Sequence, residues 1–197
     1  MSDPTGGSIS GVSFTQLLIA VLGVLVVSSE YTTGLFRATF SAVPRRLPVL
    51  WAKAVLAAAV VFMAGLAAVL IAFFTAQAVL SAADVPISLG EPGVLRAVAG
   101  SALYLAVTAV LGVALGSLLR SAIGGIAAVF GLLYVIPLFG MLIPAIDPYL
   151  PSSAGAAIMQ AGPSTGGLSP WVGLGVFALY AAAALTAAAV ALTRRDA

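Results

Sequence analysis

From Ala54 to Ala83 no residue carries a charge, and the run is longer than one membrane crossing requires. A hydrocarbon core takes about 20 apolar residues as a helix, because only a helix satisfies its own backbone hydrogen bonds where water is absent. A run this long must tilt or project from the bilayer. The rest of the chain has the same character: 62% of its 197 residues are hydrophobic and 7% are charged. That leaves too few polar groups to cover a soluble domain. The predicted fold class is therefore all-α, a polytopic membrane helix bundle built as one transmembrane domain over residues 1–197.

Five spans are expected, at about 13–29, 54–80, 97–119, 121–146 and 171–193. Arg120 alone separates the third from the fourth and marks a very tight turn. Pro137 and Pro144 are expected to kink or end the fourth. Pro148, Pro151, Pro163 and Pro170, with four glycines among them, make 147–170 an irregular outer loop, with a short helix expected over Ser152–Ala161.

The cations set the orientation. Arg37, Arg45, Arg46 and Lys53 all lie in the segment 30–53 between the first two spans. If that segment is cytoplasmic, Arg120, Arg194 and Arg195 join them inside and Arg96 is the lone cation outside, a clear positive-inside bias. The amino terminus is then outside and the carboxyl terminus cytoplasmic. The tail MSDPTGGSIS lacks the basic stretch that opens a signal peptide. Seven arginines against one lysine, no asparagine and abundant Ala and Gly point to a GC-rich bacterial genome, hence to a bacterial plasma membrane.

Composition also excludes chemistry. The chain has no Cys and no His, so thiolate and imidazole metal sites and Ser-His or Cys-His catalysis are ruled out. No catalytic, cofactor-binding or metal residue is proposed. A net charge of +2 is better explained by topology than by nucleic acid, which is not an expected partner. No G-x-x-x-x-G-K-[ST] is present, so energy from ATP must come from another subunit. The spans hold no ionisable group at depth, which removes the usual parts of a proton-coupled carrier. Their polar residues, Gln16, Thr75, Gln77, Thr108 and Tyr134, are expected to hydrogen-bond between helices. Gly112-x-x-x-Gly116 is read as close packing inside the bundle, ahead of a dimer seam.

Segment 30–53 has a helical pattern from Glu30 to Val43. Glu30, Thr33, Arg37 and Ser41 share a narrow polar stripe, with Tyr31, Leu35, Ala38 and Ala42 on one flank and Phe36, Phe40 and Val43 on the other. Pro44 stops the helix, Pro48 blocks its immediate resumption, and Trp51 and Lys53 anchor the next span. The plain reading is an amphipathic helix capping a hairpin at the membrane surface. The connection is longer than a hairpin needs, however, and both apolar flanks look covered, one by the membrane helices and one by a cytoplasmic partner.

The run SSEYTTGLFRATFSAVPRRLPVLWAKAV resembles the cytoplasmic loop after the second span of type-2 ATP-binding-cassette (ABC) exporter permeases, actinobacterial ones above all. The matching positions are Glu30, Gly34, Arg37, Pro44, Arg45, Arg46 and Lys53. LGVALGSLLRSAIGGIA and YLPSSAGAAI resemble that family's fourth-to-fifth span turn and outer loop, and RRDA its tail. The resemblance runs from Phe14 onward and begins at the family's second span, so the first span has no counterpart here. It implies that Tyr31–Val43 is a coupling helix docking on a P-loop ATPase subunit, with Glu30, Tyr31, Gly34, Phe36, Arg37 and Phe40 as the ATPase-contact residues. Arg45, Arg46, Lys53, Arg120, Arg194 and Arg195 are cytoplasmic topology anchors. Glu30 at the membrane boundary would pair with a cation of the partner or of a neighbouring span; its plain alternative is an unpaired interfacial carboxylate. The resemblance also implies an outer segment, here Tyr149, Pro151 and Ser152–Ala161, that re-enters and closes the pathway. A second permease subunit and membrane lipids are the other partners, and ATP and Mg stay in the ATPase. The expected function is export of a lipid-like, peptide or drug-like substrate, with no enzymatic step in this chain. The rival is a non-transporting membrane scaffold that uses the same loop for docking.

Overall fold

The computed structural model describes residues 5–33, 46–81, 93–140, 142–160 and 167–194. Among them there is no strand, and five helices are long and apolar enough to cross a membrane. Helix α1 spans Thr5–Thr33, α2 Arg46–Ser81 and α3 Val94–Leu119. The fourth crossing is composite, made of α4 (Ala122–Phe130), a π-helical turn (Gly131–Val135) and α5 (Ile136–Gly140). A 3-10 turn at Asp147–Tyr149, the short α6 (Pro151–Ala156) and a second 3-10 turn at Ala157–Met159 lead to α7 (Pro170–Arg194).

α3 is the hub, packed against α1, α2, α4 and α7. Two thirds of its span (67%) is buried, against 11% of the α2 span. Both helices are apolar, so hydrophobicity does not separate them. What does is the run of small residues on α3: Gly100, Ala102, Ala106, Ala109, Gly112, Ala114 and Gly116 are all buried. Inside a bilayer, helices gain by close backbone packing and not by leaving water, and small residues permit it. α2 instead turns Val55, Leu56, Val60, Met63 and Ile71 outward to lipid.

The closest approach is between α1 and α3. A Cβ on Gly23 would lie 2.7 Å from the Ala109 carbonyl oxygen, and one on Gly116 would lie 2.9 Å from that of Val24; on Gly112 it would strike the Ala20 carbonyl. The Gly112-x-x-x-Gly116 pair thus packs within the bundle, as expected, against α1. The hydroxyls of Ser101, Thr108 and Ser117 donate to the carbonyls four residues back at 2.7–2.9 Å. α3 can therefore bury them without partners on other helices.

Several boundaries differ from expectation. α1 runs on through Glu30 and Tyr31 to Thr33, so these residues finish a membrane helix and do not open a separate one. α2 begins at Arg46, well before residue 54, and Pro48 lies in its first turn. The N–H groups of a first turn have no intrahelical acceptor, so proline there removes nothing and its fixed φ suits the helix. The fourth crossing ends at Gly140, short of residue 146. Pro137 cannot offer an N–H to the Leu133 carbonyl, and just before it the helix widens: the Ile136 N–H bonds to Gly131 O, five residues back. Thr75 and Thr108 were expected to bond between helices, but both bond within their own. Of that set, Gln16 does bridge helices, through a side-chain hydrogen bond to Tyr104.

Candidate functional site

Five helix ends meet at one end of the bundle. The carboxyl ends of α1, α3 and α7 and the amino ends of α2 and α4 converge over a buried layer of Val27, Leu50, Ala54, Val113, Ala114, Leu185, Ala188 and Leu192. Above this layer the side chains change from apolar to charged.

Two contacts stitch the ends together. Lys53, in the second turn of α2, forms an ion pair with Glu30 in the last turn of α1. Their side chains are 20% and 26% exposed, so neither charge is in open water nor fully desolvated. Arg120 places its guanidinium over the Tyr31 ring, 5.8 Å from the centroid. A cation held there is attracted by the negative face of the ring.

Arg120 reaches that position through an unusual backbone. It sits between α3 and α4 with φ 52° and ψ 23°, left-handed, and its N–H bonds back to Gly116 O at 3.0 Å. Ser121 then caps α4, its Oγ accepting from the Gly124 N–H at 3.2 Å. A non-glycine residue in this conformation stores strain of about 1–3 kcal/mol. Two residues so arranged close the tight turn that the sequence predicted.

Of the residues expected at this site, Glu30 and Tyr31 are together with Lys53 and Arg120, and Arg194 lies in the last turn of α7. Gly34, Phe36, Arg37, Phe40, Arg45 and Arg195 lie outside the described residues, as does most of the expected coupling helix. Arg46 opens α2. Glu30 is paired with a neighbouring span, so its reading as an unpaired carboxylate fails. Among the described residues, Lys53, Arg120 and Arg194 fall at this end and Arg96 alone at the other. None of the described acidic residues gathers into a group of three that would hold a metal ion.

The opposite end carries a second arrangement that the sequence did not single out residue by residue. Arg96, in the first turn of α3, donates from Nη2 to the Gln160 carbonyl at 2.9 Å. Deeper in, Tyr104 and Phe177 stack tilted with centroids 5.1 Å apart. Tyr104 and Gln16 are both nearly fully buried, and the Gln16 amide nitrogen has no hydrogen-bond partner. Tyr134 stacks on Phe130, one turn before it on the composite helix, at 5.4 Å. The signal for the Gln16–Tyr104 pair was present, since each is a polar group in an apolar run, but their partnership depends on how α1 lies against α3.

Comparison with protein-family models, with curated proteins and with solved structures returns no match for this chain.

Proposed function

We propose that this chain is a transmembrane permease subunit of an ATP-driven ABC exporter in a bacterial plasma membrane, with the charged end of the bundle in the cytoplasm. The observation that carries the reading is the stitching of Glu30 to Lys53 and of Arg120 to Tyr31 at the base of the 30–53 connector. A docking element can move membrane helices only if its two roots are fixed to them. An ion pair between residues 23 positions apart fixes both roots to each other, and Arg120 adds the α3–α4 turn to the same unit. Force on the connector then moves α1, α2 and α3 together.

The orientation rests on the gathering of Lys53, Arg120 and Arg194 at one end, which the positive-inside rule assigns to the cytoplasm. ATP binding and hydrolysis belong to a separate P-loop subunit, and two permease subunits pair with two ATPases. The substrate is lipid-like, peptide or drug-like, in keeping with an apolar interior.

The neighbouring reading frame is the first test: a P-loop ATPase encoded there supports the exporter, and its absence favours the scaffold. Co-expression with such an ATPase is the second. The expected result is a stable complex whose ATP hydrolysis depends on an intact connector. Normal assembly and hydrolysis with residues 34–45 scrambled would remove the connector from the mechanism. Assembly without any effect on hydrolysis or export would favour the scaffold.

A further inference from the structure

Three polar side chains meet inside the membrane, each from a different element. Gln16 comes from α1, Tyr104 from α3 and Tyr134 from the π-helical turn of the fourth crossing. Gln16 bonds to Tyr104, and Tyr134 stands close enough to Tyr104 to act on it electrostatically. Tyr104 is eight residues along α3 from Arg96 and sixteen from Arg120, about 12 Å and 24 Å at the helical rise. The group therefore lies at the depth of hydrocarbon, inside both charged ends.

That placement carries a cost which the fold leaves unmet. Gln16 is 4% exposed, and its amide nitrogen has no hydrogen-bond partner. A buried donor without an acceptor raises the free energy of the arrangement that buries it. Leucine at 16 and phenylalanine at 104 would fill the same space without the penalty, so packing gives no reason for these polar groups. The helix that carries Tyr134 widens into a π-helical turn at this level, an irregularity that recurs where helices serve a function.

The neighbours decide which part of the group is on offer. Protein covers the Tyr104 ring: Phe177 stacks on it, and the re-entrant segment Pro151–Met159 lays Gly155 against it, where a Cβ would collide. What remains is the hydrogen-bonding end, toward Gln16. On that side α1 packs against α4 but hardly against the π-helical turn or α5. Tyr134 stands there partly exposed, stacked on the exposed Phe130.

The unmet donor selects its ligand. An N–H group takes an acceptor, and at this depth no described residue is ionised, so the charge of an anion would go uncompensated. A neutral carbonyl oxygen meets the donor without that cost.

We infer that Gln16, Tyr104 and Tyr134 form a binding site within the membrane for an uncharged amphipathic molecule, held by a hydrogen bond from the Gln16 amide to its carbonyl oxygen. The molecule enters from the bilayer, past Tyr134. A lipid ester and the ketone or amide of a dissolved solute both present that oxygen. The inference stands apart from the ATPase reading, since a scaffold can hold such a molecule as well.

An alkylbenzophenone is the probe, because it is uncharged, carries one carbonyl oxygen and labels the residues around it under light. In nanodiscs of ether-linked phosphatidylcholine, which has no ester carbonyl, peptides holding Gln16, Tyr104 or Tyr134 should be labelled saturably. The alkyl diphenylmethane of the same shape lacks the oxygen and should compete about tenfold less well than the unlabelled ketone. Gln16→Leu should weaken labelling by about tenfold as well. Labelling of α2, which faces lipid, should stay unsaturable throughout. Ester-linked lipid in place of ether-linked then separates the sources: lower labelling assigns the site to a lipid ester, and equal labelling to a solute. Equal competition by the diphenylmethane, no saturable labelling, or unchanged labelling in a folded Gln16→Leu protein overturns the site. Should Gln16→Leu fail to fold, the competition in the unaltered protein decides.

Discussion

The sharpest prediction concerns the sign of a glycine-to-alanine change at two places. At Gly23, on α1, the added methyl would sit 2.7 Å from the Ala109 carbonyl oxygen, 3.1 Å from the Val113 nitrogen and 3.2 Å from the Gly112 Cα. All three are backbone atoms of α3, so no side chain can rotate away. Ordinary contact begins at 3.4 Å, which means α1 and α3 must part by about 0.7 Å along this crossing. Dispersion falls steeply over such a gap, and overpacking of this kind destabilises by about 1–3 kcal/mol. Against it stands the helix preference of Ala over Gly, about 0.5–1 kcal/mol. The net expectation for Gly23→Ala is a loss of about 1–2 kcal/mol, and Gly112→Ala, whose methyl strikes the Ala20 carbonyl, loses more. Gly175, on α7, has nothing within 4 Å of its would-be Cβ, so Gly175→Ala keeps only the favourable part. Equilibrium unfolding in mixed micelles reads the difference. If Gly23→Ala were as stable as Gly175→Ala, the close α1–α3 crossing would be wrong.

Three further outcomes follow from the same geometry. Glu30→Gln and Lys53→Gln should each weaken the bundle, and the charge swap Glu30→Lys with Lys53→Glu should recover part of the loss; a partly buried pair sits between the surface and buried extremes, so a double-mutant cycle on unfolding should give a coupling of about 1–2 kcal/mol. At the α3–α4 turn, Arg120→Gly and Arg120→Ala both lose the contact with Tyr31, yet only Ala keeps the left-handed strain, so the Gly variant should melt later by about 1 kcal/mol of stability. Tyr104→Phe takes away the hydrogen-bond partner of Gln16 and should destabilise by about 1–3 kcal/mol, while adding Gln16→Leu should return most of it, because no buried polar group is then left unmet.

How much of this was legible depended on whether a signal was local. Membrane crossings are set by runs of apolar residues between charges, and all five appeared near their expected places. The tight turn at Arg120 was legible for the same reason. Helix ends were less so. Pro48 was read as a barrier, yet a proline in a first turn offends no hydrogen bond. The charge-free run to Ile146 hid a helix that stops at Gly140 after its π-helical turn. Contacts between distant residues left no trace in the order of residues. A cation of a neighbouring span was one expected partner of Glu30, but nothing in the 22 positions between them singles out Lys53, and Thr75 and Thr108 read as candidates for interhelical bonds although each had a carbonyl within its own helix.

The two ends of the bundle are built by different physics, and α3 is the element that joins them. At its carboxyl end it is bound through Arg120 to Tyr31, and at its amino end through Arg96 to Gln160. Those two arginines are 24 residues apart, about 36 Å of continuous helix. Between them the buried hydroxyls of Ser101, Thr108 and Ser117 bond to their own helix, so they tie α3 to no neighbour. What grips it is shape, in the glycine contacts with α1 on one side and with the re-entrant segment on the other. A helix held by polar bonds at its ends, and in its middle by backbone contact, with Tyr104 as its polar and aromatic tie to Gln16 and Phe177, has few directional bonds to break when it shifts along a neighbour. α2 is ill suited to that part, since it spends most of its surface on lipid. α1 is better placed, but the described part of its far end carries no charged residue comparable to Arg96. Between the charged end and the buried segment Pro151–Met159, α3 is therefore the continuous element, with an arginine contact at each of its ends.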